Sequence, residues 1–356
     1  MAKKGIYYSD YLAVDTLTDS QVLESTKHGL DAPDEHLFII IHQAYELWFK
    51  QLLFDLDRLM NLAKQKEFND ADVLKAVGLV DRMNVIADLL VHQVDVLDTM
   101  TPLDFMDFRN LLVPASGFQS WQFRLFETRL GLKHHSMGFM GALELRHREK
   151  LEDAQAAPTL FDLLNKWLGR TPFLEMDGFD FWKQYRNAVD KMAADEEALV
   201  LGNPHLSDDE KQLEAAKVRE TAQSFNVLFD EAQHNQLQDE GHWRLDYHAL
   251  KAALFIMLYR DEPLLSAPFK LMDGLVQLDQ TLNLWRQRHM QMAQRMIGQK
   301  ISTGGMSGGS QAYLAKTIQH GLAFRDFAAI STFLLPRKNL PELPENIRKT
   351  LGFNYA

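Results

Sequence analysis

Residues 34–62 read DEHLFIIIHQAYELWFKQLLFDLDRLMNL, and the class of fold follows from them. Leu, Ile, Phe and Trp are dense in this stretch, and polar residues are thinly spread between them. A helix that is apolar on most of its sides is typically buried. The preceding Asp31-Ala32-Pro33 is a start signal, because proline suits the first turn of a helix. The stretch therefore predicts a long, buried α-helix.

The same helical periodicity continues through most of the chain, and no segment has the pattern of a strand. Pro114-Ala115-Ser116-Gly117 interrupts it once, and a glycine-rich stretch at 302–310 interrupts it again. The expected fold is therefore all-α, a large helical bundle. Its further helices are predicted at 71–99, 104–112, 118–130, 140–154, 159–168, 245–260, 265–298 and 311–333.

The middle of the chain is more polar and predicts a separate helical piece. Thr171-Pro172 and Gly202-Asn203-Pro204 break the periodicity, and Ser207 with Glu210 forms a capping box that opens another helix. We interpret this region as a helical insertion or arm, and we expect an irregular chain after Pro336. The predicted organisation is a main helical domain at 1–149 and 226–336, an insertion at 150–225 and a C-terminal tail at 337–356.

Composition excludes several classes of function. The chain has 356 residues, of which 46% are hydrophobic and 24% charged, values typical of a soluble globular protein large enough to enclose a cofactor. The formal net charge of −11 argues against a nucleic-acid partner, because phosphate contacts need clustered Lys and Arg. There are no cysteines, which excludes disulfides, cysteine-ligated metals and cysteine nucleophiles. With no signal-like start and no apolar run near the ~20 residues of a membrane span, we expect a cytoplasmic protein.

His289 is the first candidate for a ligand to a cofactor. It shares one helix face with Trp285, Met292 and Met296. A histidine in that setting is either a core residue or a ligand to an apolar cofactor such as haem, and spacing alone favours the core residue. Because the chain has no cysteine, histidine is nevertheless the first candidate for an axial ligand.

A second face of interest lies on the helix at 34–62. Phe38, His42 and Tyr45 follow each other at helical spacing and stack on one face. They could line a pocket for an aromatic substrate, with His42 as the polar group. The alternative is an ordinary i,i+4 pair between His42 and Glu46.

Three further places in the sequence carry groups that suit a ligand, either an amino acid or a flat molecule. Arg109 stands among phenylalanines and could bind a carboxylate with two hydrogen bonds, or pair with Asp104 or Asp107. Ser116 and Gly117 could bring a hydroxyl and a bare backbone close to a flat ligand, or simply start a helix. The loop with Thr303 could order over a substrate ammonium, or be a linker. His134 and His135 lie in a polar segment and are interpreted as surface residues.

Several of these residues belong to motifs that closely resemble those of the tryptophan 2,3-dioxygenase family. The matching blocks keep their order from about Tyr8 to Pro336. They are DEHLFIIIHQAYELWFKQ at 34–51, DFMDFR at 104–109, PASGFQS at 114–120, YRDEP at 259–263, WR at 285–286 with His289, RMIG at 295–298 and TGG at 303–305.

The resemblance implies a helical enzyme with one haem b per subunit, usually a homotetramer. It implies insertion of both atoms of O2 across the indole C2–C3 bond of L-tryptophan to give N-formylkynurenine. In this family the iron activates O2 and the indole supplies its own electrons, so the protein mainly positions the substrate and excludes water.

The resemblance also implies a role for each matching residue. His289 matches the axial ligand of the haem iron, and Ser116 and Gly117 match the segment beside the haem edge. His42 matches the distal histidine that hydrogen-bonds the indole N–H. The remaining matches contact the substrate. They are Phe38 as the aromatic wall over the ring, Phe105 where some members carry Tyr, Arg109 at the carboxylate, Thr303 at the ammonium and carboxylate, and Tyr8, Tyr11 and Leu12 as a segment that completes a neighbouring subunit's pocket.

This chain departs from the family pattern in two places. In the glycine-rich loop Met306 replaces a serine, and Tyr313-Leu314 comes two residues late. Gln294 stands where many members carry a second histidine, which leaves His289 as the only histidine on its helix. The altered loop motivates an alternative, a family relative that oxygenates another indole as a monooxygenase. A haem carrier or sensor, and a helical scaffold without haem, are the non-enzymatic alternatives.

Overall fold

The structure, a computed structural model, describes residues 5–133, 140–141, 143–171, 175–176, 179–298, 318 and 321–352. The fold is all-α, as the sequence predicts. The first fourteen helices are α1 Tyr8–Leu12, α2 Val14–Thr18, α3 Glu24–Lys27, α4 Asp34–Ala63, α5 Asp70–Leu97, α6 Pro102–Phe108, α7 Trp121–Leu130, α8 Leu145–Ala156, α9 Leu160–Leu168, α10 Phe181–Leu201, α11 Asp208–Ser224, α12 Glu231–Asp239, α13 Tyr247–Leu258 and α14 Pro263–Ile297. Short α-helices follow at Arg325–Ala329 and Glu345–Thr350.

The long helices confirm the predicted periodicity, and the largest difference lies near the C-terminal end. We expected one helix over 311–333. Within the described residues 321–333, only Arg325–Ala329 is α-helical, and a 3-10 turn at Ile330–Phe333 follows it. Further 3-10 turns occupy Arg109–Leu112, Gly117–Gln119, Phe225–Leu228 and Arg337–Asn339, so α7 begins at Trp121 rather than at residue 118.

One short hairpin is present where the sequence indicates no strand. Glu175–Met176 pairs antiparallel with Phe179–Asp180, in the register Glu175 to Asp180 and Met176 to Phe179. Two residues on each side are too few to produce an alternating pattern in the sequence. The hairpin leads directly into α10, whose N-cap is Asp180.

The chain forms two compact units. The first comprises residues 1–56, 82–157 and 278–322, and so contains the first part of α4 and the last parts of α5 and α14. Its core contains fully buried side chains from several of these helices, and Tyr45 of α4 donates a hydrogen bond to the Leu90 carbonyl of α5 at 3.1 Å. These core residues are Leu52, Leu56, Met83, Leu90, Phe108 and Phe126.

The second unit comprises residues 57–81, 158–277 and 323–356. Phe181 of α10 is fully buried and packs edge-on against Phe255 of α13, with ring centroids 5.1 Å apart. Helices α10 and α11 pack against each other in this unit. The division into a main domain and an insertion at 150–225 stays a prediction.

The C-terminal segment is ordered over its described part, so the expectation of an irregular tail was wrong. A helix spans Glu345–Thr350, and its Ile347 is fully buried. The Leu264 backbone N–H donates to the Leu351 carbonyl at 2.9 Å, and the Tyr259 hydroxyl donates to the Pro341 carbonyl at 2.7 Å. A helix this short has little stability alone and depends on such tertiary contacts, which local sequence does not show.

Across the described part of the chain, no helix combines the length and the apolar character that a membrane crossing requires.

Candidate active site

Helix α4 carries the first two residues of the site, Phe38 and His42, one turn apart. Their ring centroids lie 4.1 Å apart with a tilt of 36°. The His42 Nδ1 lies 2.7 Å from the Phe38 carbonyl oxygen. Because a carbonyl can only accept, Nδ1 carries the proton, and the neutral ring keeps its lone pair on Nε2. His42 therefore presents a hydrogen-bond acceptor at Nε2.

The protonation state of His42 is set mainly by its surroundings. Burial lowers its pKa below the usual 6.5, and the hydrogen bond to Phe38 and the charge of Glu46 only partly oppose this. The ring is therefore neutral at pH 7. The alternative pairing of His42 with Glu46 finds little support, since the Glu46 carboxylate accepts a hydrogen bond from the Gln122 side chain at 2.7 Å.

Helix α6 adds two aromatic rings to the same place. Phe105 and Phe108 lie 5.7 and 5.6 Å from the Phe38 ring, and they meet each other edge-on at 5.4 Å. A capping box fixes the start of this helix, in which the Thr101 and Asp104 side chains bond to each other's backbone N–H groups. The four rings thus form one aromatic cluster, with His42 as its polar member.

Arg109 directly follows this cluster and begins the 3-10 turn Arg109–Leu112. Its side chain is buried, with 9% of its surface exposed. The Asp104 carboxylate, one of its alternative partners, accepts the Thr101 backbone N–H at 2.9 Å and so serves the helix cap. The second alternative, Asp107, is exposed. A buried guanidinium is well suited to bind an anionic group with two parallel hydrogen bonds.

His289 comes from helix α14 and stacks on Trp285, with ring centroids 5.6 Å apart and an interplanar angle of 22°. The side chain is half-buried. Burial lowers its pKa to about 4, and the nearby positive charge of Arg124 acts in the same direction. The imidazole is neutral at pH 7, so a ring nitrogen has a lone pair available for a metal. Tyr45, three residues after His42, contacts Trp285, four residues before His289, at 5.9 Å, so α4 and α14 bring both histidines into one region.

Three aromatic rings contact the Trp285 indole. Its indole lies 4.7 Å from the Phe123 ring, and 5.9 Å from both Tyr45 and Phe49. Phe49 and Phe123 also contact each other, at 5.1 Å. Because Trp285 is fixed by these contacts, the face on which His289 stacks is fixed as well.

Ser116 and Gly117 lie in the connection before α7. The Ser116 backbone N–H donates to the Gln119 side chain at 3.2 Å, and Gly117 starts the 3-10 turn. A Cβ placed on Gly117 would meet no atom within 4 Å. Among the described residues, open space therefore adjoins the Gly117 backbone, and no contact there requires glycine. Ser116 does not cap α7, since Ser120 occupies the position before Trp121.

The N-terminal candidates Tyr8, Tyr11 and Leu12 lie on α1 and are exposed, with 76%, 72% and 40% of their surfaces accessible. Apolar side chains so exposed suit contact with another molecule. Thr303, and with it Met306 and Tyr313-Leu314 of the altered loop, lies outside the described residues, as do His134 and His135.

A buried ion cluster near His289 was not predicted from the sequence. Glu127 of α7 accepts hydrogen bonds from Arg124 and from Arg286 of α14. The weak signal was a pair of opposite charges three residues apart, at 124 and 127, on one helix. Arg286 could not be assigned to it, because it lies 159 positions away along the chain.

The fold and the site together define a class of protein. It is an all-helical protein in which histidines and aromatic rings of α4, α6 and α14 lie in one compact unit, with a buried arginine directly after α6.

Comparisons with known proteins narrow this class to one family. The family model described as tryptophan 2,3-dioxygenase matches residues 1–334. The tryptophan 2,3-dioxygenase of Bdellovibrio bacteriovorus is 44% identical over 98% of this chain and 99% of its own length. That of Alteromonas mediterranea is 43% identical over 99% of both chains, and that of Dictyostelium discoideum is 40% identical over all of this chain and 90% of its own. The chain belongs to the tryptophan 2,3-dioxygenase family.

Proposed function

We propose that the protein is a haem enzyme that inserts both atoms of O2 across the indole C2–C3 bond of L-tryptophan, giving N-formylkynurenine. The observation that carries the proposal is the pair of neutral histidines, His42 and His289, in one aromatic region of a chain from this family. The reaction balances without an external reductant, because the C2–C3 bond breaks and each of its carbons ends as a carbonyl.

The cofactor of this proposal is one haem b per subunit, with His289 as the axial ligand of its iron. The residues present fit such a group. His289 is neutral and only half-buried, its ring is held by Trp285, and open space adjoins Gly117, where a flat edge could lie beside Ser116. When bound, the haem supplies the iron at which O2 is activated.

For the indole ring, the proposal uses the cluster on α4 and α6. Phe38 and Phe105 provide flat apolar surfaces for the ring, and Phe108 supports both of them from a buried position. The indole N–H needs an acceptor in this apolar setting, since an unpaired buried donor is costly. The Nε2 of His42 is that acceptor, because its Nδ1 proton is committed to the Phe38 carbonyl.

The charged end of L-tryptophan needs partners of its own, because burying an unpaired charge is costly. Arg109 is the group for the carboxylate, since a guanidinium can donate two parallel hydrogen bonds to it. Thr303 is the group for the ammonium and carboxylate, by resemblance alone. This division of tasks would orient the indole ring relative to His42.

The proposal extends to assembly and location. We propose a homotetramer in which Tyr8, Tyr11 and Leu12 complete the pocket of a neighbouring subunit, and the exposure of these side chains supports it. The exposed apolar side chains Ile40, Leu47 and Phe54 recur every seven residues on α4 and give a second surface for association. A cytoplasmic location remains our prediction.

The axial-ligand assignment is tested by His289→Ala in the full chain purified with haem. We expect the variant to lose the absorption spectrum of the axially bound haem and all formation of N-formylkynurenine. His92→Ala is the matched control, because His92 is exposed on α5, and it should keep both the spectrum and the activity. An unchanged spectrum and unchanged turnover in His289→Ala would overturn the proposal.

A further inference from the structure

Glu127 is a buried carboxylate with no task in the proposed reaction. It is 1% exposed, and both of its oxygens are engaged. Oε1 accepts the Arg286 Nε and Nη2 groups at 3.1 and 2.8 Å, and Oε2 accepts the Arg124 Nη1 at 3.1 Å. The two arginines are themselves buried, at 3% and 7% exposure. We call these three residues the ion triad.

The ion triad lies next to the support of His289. Arg124 follows Phe123, and Arg286 follows Trp285, the two residues whose rings are 4.7 Å apart. Trp285 in turn stacks on His289. The Arg286 guanidinium also donates to the Gly321 carbonyl at 3.1 Å, which fixes its position further. Arg286 also precedes His289 by three residues on α14, a spacing at which side chains of a helix are neighbours.

Stability alone does not account for such a group of charges. Taking ions out of water is expensive, and apolar side chains of similar volume often stabilise a fold as well or better. The triad stands within one helical turn of the aromatic residues that hold His289. A buried charge at that place acts through a medium of low dielectric, where its influence reaches further than it would in water.

We propose that Glu127 is a positioning residue, which holds the Arg124 and Arg286 guanidinium groups beside the axial ligand and so sets the electrostatic potential at the haem iron. The proposal rests on the proposed function, since it takes haem to be bound through His289. It goes beyond that function because it gives the ion triad, none of whose members contacts the substrate in that proposal, control over the balance between ferrous and ferric enzyme.

The sign of each effect follows from Coulomb's law. Nearby positive charge favours the ferrous state, which carries one positive charge less than the ferric state. Removing the negative charge of Glu127 should therefore favour ferrous iron, and removing the positive charge of Arg124 should favour ferric iron. A merely structural role would not give shifts of opposite sign.

The test is spectroelectrochemical titration of the haem-loaded full chain. In Glu127→Gln the ferrous-to-ferric ratio at a fixed applied potential should rise about tenfold, equal to about 59 mV for a one-electron couple. In Arg124→Gln it should fall by a similar factor. Arg124→Lys keeps the charge and should stay within about twofold of the unaltered protein. The control Glu197→Gln breaks an exposed pair with Arg219 in the other unit and should change nothing.

Shifts of the same sign in Glu127→Gln and Arg124→Gln, or ratios unchanged in both, would overturn the inference. If Glu127→Gln does not fold, Arg124→Gln and Arg124→Lys decide it, because only loss of charge should lower the ratio. The titration begins with the unaltered protein and His289→Ala. If the unaltered protein and His289→Ala bind haem alike, the proposed function itself is wrong. If His289→Ala loses the haem but the ferrous-to-ferric ratios of the Glu127 and Arg124 variants equal that of the unaltered protein, only this inference is wrong.

Discussion

At the residue scale, the proposed site depends on two histidines that burial keeps neutral, and the proposal gives each a different task. His289 is half-buried on the stack with Trp285, and its lone pair is free for a metal. His42 has one nitrogen committed to the Phe38 carbonyl, which leaves the other as an acceptor. In the proposed function, the same physical cause, loss of hydration around a cation, would supply a metal ligand in one place and a substrate contact in the other.

The lowered pKa of His42 predicts the acid side of the pH profile. Its folded pKa lies below 6.5, so the ring stays neutral as pH falls through 6.5 and loses its acceptor only at lower pH. We expect kcat/KM for L-tryptophan to be constant down to pH 6.5 and to decline below it. His42→Ser should be up to about tenfold less active, the value of one hydrogen bond, and should lack this decline. An acid limb centred at 6.5 or above would contradict the assignment.

Arg109 predicts a dependence on the substrate carboxylate. Arg109→Met should reduce kcat/KM for L-tryptophan by roughly 10- to 100-fold, the range for a hydrogen bond to a charged group. With tryptamine, which lacks the carboxylate, the same change should cost little, and the haem spectrum should stay as in the unaltered protein. An equal loss with both substrates would mean that Arg109 serves the fold. A haem carrier would have no activity to lose in either case.

Sequence patterns anticipated part of this residue-level picture. Helical spacing placed Phe38 next to His42, and the structure confirms their contact. Spacing alone favoured a core role for His289, and only the flanking family motifs indicated a ligand. The ion triad could not be predicted, because one of its ion pairs joins residues that helix packing brings together from distant parts of the chain.

At the element scale, α6 shows how local sequence positions the site. The whole capping signal lies in Thr101-Pro102 and Asp104. The helix that starts there carries Phe105 and Phe108 and ends just before Arg109. Sequence predicted this helix at 104–112, whereas the structure ends it at Phe108 and continues with a 3-10 turn. It begins at Pro102, two residues before the predicted start, because of the local capping bonds between Thr101 and Asp104, a signal that the prediction did not use. Its end depends on packing that sequence does not reveal.

The capping box of α6 gives a prediction with a matched control. Thr101→Ala should lower the free energy of unfolding by about 1 kcal/mol and should also raise KM, because α6 holds aromatic rings of the site. Ser207→Ala removes the equivalent exposed box of α11 and should cost a similar free energy without changing KM. Chemical denaturation and steady-state kinetics of both variants measure this. A raised KM in both variants, or in neither, would contradict the prediction that α6 holds part of the substrate site.

At the scale of the whole molecule, the chain exposes apolar side chains that a monomer would normally bury. Besides Tyr8 and Tyr11, these include Leu47 and Phe54 of α4 and Val85 of α5. Exposed apolar surface of this kind marks association sites. Sequence periodicity predicted the helices but gave no measure of which of their apolar residues stay exposed. The assembly was expected only from the family resemblance.

Complementation tests whether the N-terminal segment acts on a neighbouring subunit. A chain that lacks residues 1–12 and a full chain with His289→Ala should each be inactive alone. Mixed tetramers, made by co-expression, should regain activity, because the intact segment of one subunit reaches the intact haem site of another. Light scattering checks that both chains assemble. Mixed assemblies that stay inactive would show that the segment serves its own subunit.

If the proposed function holds, both atoms of one O2 molecule enter L-tryptophan. The most direct measurement is turnover of the ferrous, haem-loaded protein with L-tryptophan under ¹⁸O2, followed by mass spectrometry of the product. Our account predicts N-formylkynurenine labelled in both of the carbonyl groups formed at C2 and C3. A singly labelled hydroxylated indole, or no product from a fully loaded sample, would contradict it.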